Sequence, residues 1–92
     1  MRINPAQTPV FRRGYRLQWE AVQNSHVILY PEGMAKLNES AAVILQLVDG
    51  HTTLQGIIDQ LNTRFSDAPG LADDVLTFFQ RAYEQKWVMF RD

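Results

Sequence analysis

The sequence predicts an α+β domain with a winged-helix-like arrangement, in which a three-stranded antiparallel sheet is followed by three helices. Apolar and polar residues alternate between residues 11 and 22, and a β-branched apolar run, HVILY, follows at residues 26–30. Later in the chain the apolar residues recur at the three- and four-residue spacing of helices. Strand signals therefore precede helix signals, and residues 49–53 favour a helix–turn–helix joint.

The first predicted strand lies in the alternating stretch, where Tyr15, Leu17 and Trp19 fall on one face and polar residues on the other. The Gln-Asn-Ser sequence at residues 23–25 has the composition of a turn. The apolar run at residues 26–30 is therefore expected to return as a second strand, antiparallel to the first.

The third predicted strand covers residues 34–37 and should pair back on the second. It follows the Pro-Glu-Gly sequence at residues 31–33, which fits a type I turn. Residues 1–10 contain two prolines and show no periodicity, so they are expected to form an irregular N-terminal arm. The remaining residues, 11–92, are expected to form one small domain.

The first two helices are predicted on either side of an Asp-Gly pair. Asn38 is a good N-cap for a helix that contains residues 41–48, AAVILQLV, and ends at the Asp-Gly pair. Thr52 and Gln55 have the spacing of a capping box. They predict the start of a second helix over residues 53–65, with one apolar stripe.

The third helix is predicted over residues 71–86, with Asp73 and Asp74 in its first turn, where the helix dipole favours acids. Its apolar residues cover a stripe of roughly 160°, wider than the ~100° that a surface helix needs. The helix is therefore expected to pack on two sides or to offer apolar surface to a partner. Residues 87–90 should close the chain as a short extended or capping segment.

The residue content argues against an enzyme. The chain has no cysteine, which excludes a thiol nucleophile and thiolate metal sites. His26 and His51 lack partners at the spacing of metal ligands, and no nucleophile or phosphate-binding motif is present. We therefore expect no catalytic residue, metal or cofactor. Because no signal peptide or membrane-length apolar run is visible, a cytoplasmic location without membrane contact is expected.

Two classes of partner remain, nucleic acid and peptide. A helix–turn–helix joint makes a winged-helix DNA-binding regulator the alternative function. However, the formal net charge is -1, and the third helix carries Asp73, Asp74 and Glu84, which oppose phosphates. The third strand would instead form an open sheet edge, to which a peptide can add as a further strand. Peptide binding is therefore preferred over nucleic acid.

The ordered residues of the chain resemble the PqqD family, and the likeness covers nearly everything after the N-terminal arm. The matching elements are Arg13 to Leu17, Val27 to Gly33, Leu37-Asn38, Ala41-Ala42, Ile44-Leu45, Asp49-Gly50, Asp74-Val75 and Phe78-Phe79. The family often has a glycine just after the last helix, where this chain has Trp87. The end of that helix and the packing of Trp87 are therefore open.

The resemblance implies a non-catalytic peptide chaperone of pyrroloquinoline quinone (PQQ) biosynthesis, a recognition element for a ribosomally made peptide. Family members bind the precursor peptide PqqA and present it to the radical S-adenosylmethionine enzyme PqqE, which cross-links a Glu and a Tyr of the peptide. The leader adds to the third strand and lies against the third helix. The implied peptide-binding residues of this chain are Met34, Ala35, Lys36, Leu37, Leu71, Asp74, Val75, Phe78, Arg81 and Ala82.

Self-association is a second expectation. An open strand edge and a loose arm both permit a homodimer, through strand pairing or through exchange of the arm. The sequence does not decide between a monomer and such a dimer.

Overall fold

The computed structural model describes residues 3–66 and 68–92. These residues contain three helices and five strands, and the strands form two sheets. The α+β class predicted from the sequence is confirmed. The elements are β1 Thr8–Phe11, β2 Arg16–Glu20, β3 Ser25–Tyr30, β4 Gly33–Lys36, α1 Glu39–Leu45, α2 Leu54–Arg64, α3 Leu71–Glu84 and β5 Val88–Arg91.

The main sheet has three antiparallel strands in the order β2-β3-β4. Trp19 of β2 lies opposite His26 of β3, and Ile28 of β3 lies opposite Ala35 of β4. The predicted hairpin and the pairing of the third predicted strand on the second are both confirmed. Only the bounds differ: β2 is confined to residues 16–20 of the alternating stretch, and β4 covers Gly33–Lys36 instead of residues 34–37.

The second sheet joins the two ends of the chain and corrects the irregular arm expected over residues 1–10. β1 pairs antiparallel with β5, so that Thr8 lies opposite Arg91 and Phe11 opposite Val88. Pro9 is fully buried in this pair. Proline is compatible with a strand that is paired on one side only. A local pattern could not reveal this strand, because its partner lies near the other end of the chain.

The first helix begins as predicted and ends earlier. The Asn38 side chain caps it by accepting a hydrogen bond from the Ala41 N–H at 2.8 Å. The regular helix stops at Leu45, and the next turn is tightened because the Leu47 N–H donates to the carbonyl three residues before it. The helix predicted to reach residue 48 therefore loses its last turn.

The second helix is capped by a different residue from the one predicted. The Thr53 hydroxyl oxygen accepts a hydrogen bond from the Gly56 N–H at 3.1 Å. The Thr52 hydroxyl instead donates to the Asp49 carboxylate at 2.9 Å. The capping box predicted from Thr52 and Gln55 is wrong, because Asp49 engages Thr52 in the preceding turn.

The third helix ends without glycine by placing Lys86 in the left-handed region, at φ 69°. The Lys86 N–H donates to the Tyr83 carbonyl, and the Trp87 N–H donates to the Ala82 carbonyl, both at 2.9 Å. These two bonds form a Schellman motif, which satisfies the last carbonyls of the helix. Trp87, whose packing the sequence leaves open, packs partly buried against the core.

The core lies between the helices and one face of the main sheet. Val75, Phe79 and Ala82 form the buried face of α3. The largest fully buried side chains of this core come from β3, β5 and the three helices: Phe79, Ile28, Leu45, Leu54, Ile57, Leu61, Val75 and Val88. The wide apolar stripe of α3 thus divides into a buried face and a flank that is partly exposed.

Candidate functional site

Strand β4 is an edge of the main sheet, because it pairs with β3 and stands at the end of the strand order. Strand β2 is the opposite edge. An edge strand presents main-chain N–H and C=O groups that can receive another strand. The sheet therefore has two candidate positions for an added peptide strand.

The hydrogen-bond alternation identifies which groups of β4 point outwards. The Leu37 N–H donates to the His26 carbonyl at 3.0 Å, so these residues form a hydrogen-bonded pair of the ladder. In an antiparallel ladder such pairs alternate with pairs whose main-chain groups point away from each other. Ala35 therefore faces β3, whereas the N–H and C=O groups of Met34 and Lys36 face outwards.

The same alternation applied across β3 assigns the outward groups of β2. Residues His26 and Ile28 face β4, so the residues between them face β2. Gln18, opposite Val27, is then inward-facing. The outward main-chain groups of β2 belong to Leu17 and Trp19.

The side chains of β4 also alternate between the two faces of the sheet. Met34, which is 47% exposed, and Lys36 share the face opposite the helices. Ala35 and Leu37 share the face of the core residue Ile28, and Leu37 is buried. An added strand would thus meet exposed side chains on one face and the helical layer on the other.

An open cleft of about 440 Å³ begins three residues after β4, between α1, the end of α2 and the start of α3. We call it the apolar cleft, because seven of its ten described lining residues are apolar. The lining residues are Glu39, Ser40, Val43, Ile44, Leu61, Phe65, Ala68, Leu71, Asp74 and Val75. Its volume lies within the roughly 300–1,000 Å³ that is usual for a ligand-binding cavity.

The apolar cleft brings together three of the ten residues implied by the sequence, Leu71, Asp74 and Val75. Leu71 is partly exposed and Asp74 is exposed, whereas Val75 is only 1% exposed and forms part of the floor. The first half of α3 is therefore the part that faces this cleft. Whether these residues bind a peptide stays a prediction.

The second half of α3 lies outside the apolar cleft. Phe78 is partly buried and packs edge to face against Phe79, with ring centroids 5.4 Å apart. Arg81 is exposed, and Ala82 is buried in the core. The structure therefore does not bring these three predicted residues, Phe78, Arg81 and Ala82, into the cleft.

The sequence did not single out the residues that α1 and α2 contribute to the cleft. Val43 and Ile44 come from α1, and Phe65 stands just after the end of α2 with 46% of its surface exposed. The Arg64 guanidinium lies over the Phe65 ring, 5.5 Å from its centroid. An apolar residue at the end of a helix is a weak signal, because it fits an ordinary core equally well.

A second cleft of about 390 Å³ lies on the other side of α1, towards β2 and the end of β4, and its lining includes the implied residue Leu37. Glu39 and Val43 line both clefts. We call it the polar cleft, after its polar residues Asn24, Ser25, His26, Asn38, Glu39 and Gln46. Trp19, which is 52% exposed, forms part of its wall and packs edge to face against the imidazole of His26.

The turn between α1 and α2 is organised by Asp49. One carboxylate oxygen accepts hydrogen bonds from the N–H groups of His51 and Thr52, both at 2.8 Å. These bonds stabilise the ionised form and lower the pKa of Asp49 from 3.8 to about 2. The residue has a structural role, because it fixes the connection between two helices that form walls of the apolar cleft.

In the part of the chain that the structure describes, no group of three or more His, Asp or Glu side chains could hold a metal ion. No helix among the described residues is long and apolar enough to cross a membrane. What the arrangement offers is hydrogen-bonding main chain, apolar surface and a few carboxylates.

Comparisons with known proteins identify similar chains. The family model described as coenzyme PQQ synthesis protein D (PqqD) matches residues 25–88. A PqqA binding protein of Rahnella aquatilis is 64% identical over 90 residues, which cover 98% of this chain and 95% of that protein. A PqqA binding protein of Stutzerimonas stutzeri is 49% identical, over 97% of each chain.

A solved structure is similar over nearly the whole chain. It is the solution NMR structure of the PqqD truncation of Methylobacterium extorquens PqqCD, described as a functional, stand-alone recognition element for a ribosomally synthesized and modified peptide. The TM-score is 0.78 at 28% identity, covering 96% of this chain and 95% of that one. The residues matched by the family model include β4 and all three helices but exclude β2.

Proposed function

The chain belongs to the PqqD family, and we propose that it binds the precursor peptide PqqA as an added strand on β4 and presents it to the enzyme PqqE. It is a non-catalytic protein of coenzyme PQQ synthesis rather than an enzyme. The observation that carries the proposal is that β4 is an open edge of the main sheet and that the chain reaches the apolar cleft three residues after it, at Glu39. PqqA is the partner because close relatives are PqqA binding proteins.

The edge of β4 would fix the register and the direction of the bound peptide. The outward N–H and C=O groups of Met34 and Lys36 would form hydrogen bonds with the main chain of the peptide. Each such bond contributes only about 1 kcal/mol net, because the same groups are hydrogen-bonded to water in the free chain. The edge alone would therefore bind a peptide weakly.

The apolar cleft would supply most of the affinity. Burial of apolar side chains contributes about 25 cal/mol per Å² that is removed from water. Leu71 and Ile44 are partly exposed on its walls and would contact an inserted side chain, while Val75 supports them from below. Of the remaining predicted residues, Phe78 and Arg81 would contact a longer peptide that extends along α3. Leu37 and Ala82 are buried and would support the site from the core.

Presentation to PqqE is the finer part of the proposal. A protein that holds the peptide and the enzyme at once raises the concentration of the peptide near the enzyme, which increases apparent affinity without any new contact between them. The chain would need a second surface for the enzyme, away from β4. The proposal therefore predicts a ternary complex rather than competition between PqqA and PqqE.

Titration calorimetry with the full chain tests the proposal. We expect binding of the PqqA peptide alone, binding of PqqE alone, and binding of PqqE to the chain already saturated with peptide. Loss of PqqE binding on saturation would contradict presentation, and absence of peptide binding would contradict the proposal as a whole. A chain that binds PqqE but not the isolated peptide would be a structural subunit of the enzyme complex.

A winged-helix DNA-binding regulator remains the alternative that is easiest to eliminate. The acids of the third helix, Asp73 and Asp74, lie in its first turn and are exposed, which disfavours approach to phosphates. A gel shift at low salt should show no retarded band, since a DNA-binding protein would bind most tightly under that condition.

A homodimer through the β4 edge is a proposal that shares the peptide site. Pairing of two copies would use the outward groups of Met34 and Lys36, so the dimer and the peptide complex would compete. Exchange of the N-terminal segment is the other route, and it would require β1 to leave β5. Gel filtration at micromolar concentration, with and without PqqA, distinguishes a competing dimer from one that leaves the edge free.

A further inference from the structure

The charged side chains that line the apolar cleft are both acidic. Its ten described lining residues include two acids, Glu39 and Asp74, one hydroxyl, that of Ser40, and no basic residue. Arg64 stacks on the outer Phe65 ring but is not among the lining residues. Among the residues that the structure describes, the lining of the cleft therefore carries two carboxylates, one hydroxyl and no cation.

The two carboxylates come from different helices and are both exposed at the rim. Glu39 is the first residue of α1 and Asp74 lies in the first turn of α3. They border the same cavity, whose floor includes the buried Leu61 and Val75. A ligand that enters this cavity thus meets an apolar floor and a negative rim.

From this complementarity we propose that the apolar cleft selects a peptide segment in which an apolar side chain is flanked by Lys or Arg. The apolar side chain would occupy the cavity, and the basic residue would lie between Glu39 and Asp74. The inference rests on the proposed function, since it assigns the specificity of the same peptide site. An acidic residue at that position of the peptide would be repelled.

The expected effect is moderate, because both carboxylates are exposed. Ion pairs at an exposed rim contribute about 0.2–1 kcal/mol, which corresponds to about 1.4- to fivefold in affinity for each carboxylate. The effect should also weaken with salt, since charges separated by more than roughly 10 Å are screened at 0.1 M ionic strength. Selection by charge would therefore act on top of the apolar contacts.

Asp74 also has a structural role in α3, apart from its position at the cleft. Asp73 and Asp74 share the first turn of α3, where acids stabilise the helix dipole, and Gly70 at the N-cap has no side chain to help. Asp73 does not line the cleft. Asp73→Asn is therefore the matched control for Asp74→Asn, because both remove the same charge from the same turn.

The test measures the affinity of the full chain for two synthetic peptides at two salt concentrations. One peptide is PqqA, and the other is PqqA with every Lys and Arg replaced by Gln. Calorimetry is carried out with the unmodified chain, with the Glu39→Gln/Asp74→Asn double variant, and with the single variants Asp74→Asn and Asp73→Asn. Thermal unfolding confirms that each variant is folded.

We expect the unmodified chain and Asp73→Asn to bind PqqA about two- to 30-fold more tightly than the neutral peptide, from the two pairs together. The double variant should bind the two peptides equally. Equal binding of both peptides by the unmodified chain overturns the inference alone. A loss of preference in Asp73→Asn as large as that in Asp74→Asn overturns it as well. Absence of binding to either peptide overturns the proposed function and this inference with it.

Discussion

The two edge strands of the main sheet differ in what lies beside them. β2 and β4 each pair with β3 on one side, and each points the main-chain groups of two residues outwards. The chain after β4 lines the polar cleft at Leu37 and Asn38 and then reaches the apolar cleft at Glu39, three residues after the strand. β2 carries the exposed Trp19 and borders the polar cleft. The edges are thus alike in their main chain and different in their surroundings.

This difference indicates that an open edge is not by itself a peptide site. Main-chain hydrogen bonds contribute about 1 kcal/mol each and are available at both edges. Apolar burial can contribute several times more. The cleft with the mostly apolar lining lies between the helices that follow β4. The helix α1 separates the two environments, since Glu39 and Val43 line both clefts.

The largest expected effect comes from blocking the β4 edge. Lys36→Pro removes an outward N–H and places a ring where the peptide would approach, while the ladder bonds to β3 are retained. We expect PqqA affinity to fall at least about tenfold, because a hydrogen bond is lost and a peptide carbonyl is left without a partner. Calorimetry with the folded variant measures this loss.

Two control variants make that result specific. Lys36→Ala keeps the N–H and should bind PqqA within about twofold of the unmodified chain, since an exposed side chain contributes little. Trp19→Pro blocks the equivalent position of the β2 edge and should leave PqqA affinity unchanged. Equal losses from Lys36→Pro and Trp19→Pro would mean that the two edges are equivalent.

A smaller effect is expected from trimming the apolar cleft. Leu71→Ala shortens a partly exposed wall residue and should weaken PqqA binding about fivefold, which corresponds to about 1 kcal/mol of lost apolar contact. Gln46→Ala is the control in the polar cleft and should have no effect on affinity. If Gln46→Ala weakens binding and Leu71→Ala does not, the peptide uses the other side of α1.

Much of the fold follows from local sequence patterns. The alternation of Tyr15, Leu17 and Trp19 predicted β2, and Asn38 predicted the start of α1 at the observed cap. The likeness to the PqqD family, inferred from a set of ordered residues, is confirmed by the match of the family model and by close relatives. These features succeed because each depends on residues that are near one another in the chain.

The features that were missed depend on distant residues. The pairing of β1 with β5 joins residues at the two ends of the chain and has no local signature. The cap of α2 moves from Thr52 to Thr53 because Asp49 binds Thr52. The contribution of Phe65 to the cleft depends on how the ends of three elements meet.

The smallest expected effect concerns the Asp49 turn behind the apolar cleft. Because the folded-state pKa of Asp49 is about 2, below its ordinary 3.8, its hydrogen bonds stabilise the fold above pH 4. This contribution is lost as the pH falls from about 4 to about 2. We expect the difference in melting temperature between the unmodified chain and Asp49→Asn to shrink over that interval. A difference that stays constant from pH 6 to pH 2 would contradict this role.

The most direct test of the account is amide hydrogen exchange, residue by residue, in the free chain and in the PqqA complex. The outward amides of Met34 and Lys36 should exchange rapidly in the free chain and at least about tenfold more slowly in the complex, because each gains a hydrogen bond. The outward amides of Leu17 and Trp19 should exchange at the same rate in both. Unchanged exchange at Met34 and Lys36, or slowing at Leu17 and Trp19 instead, would contradict the assignment of β4 as the peptide-binding edge.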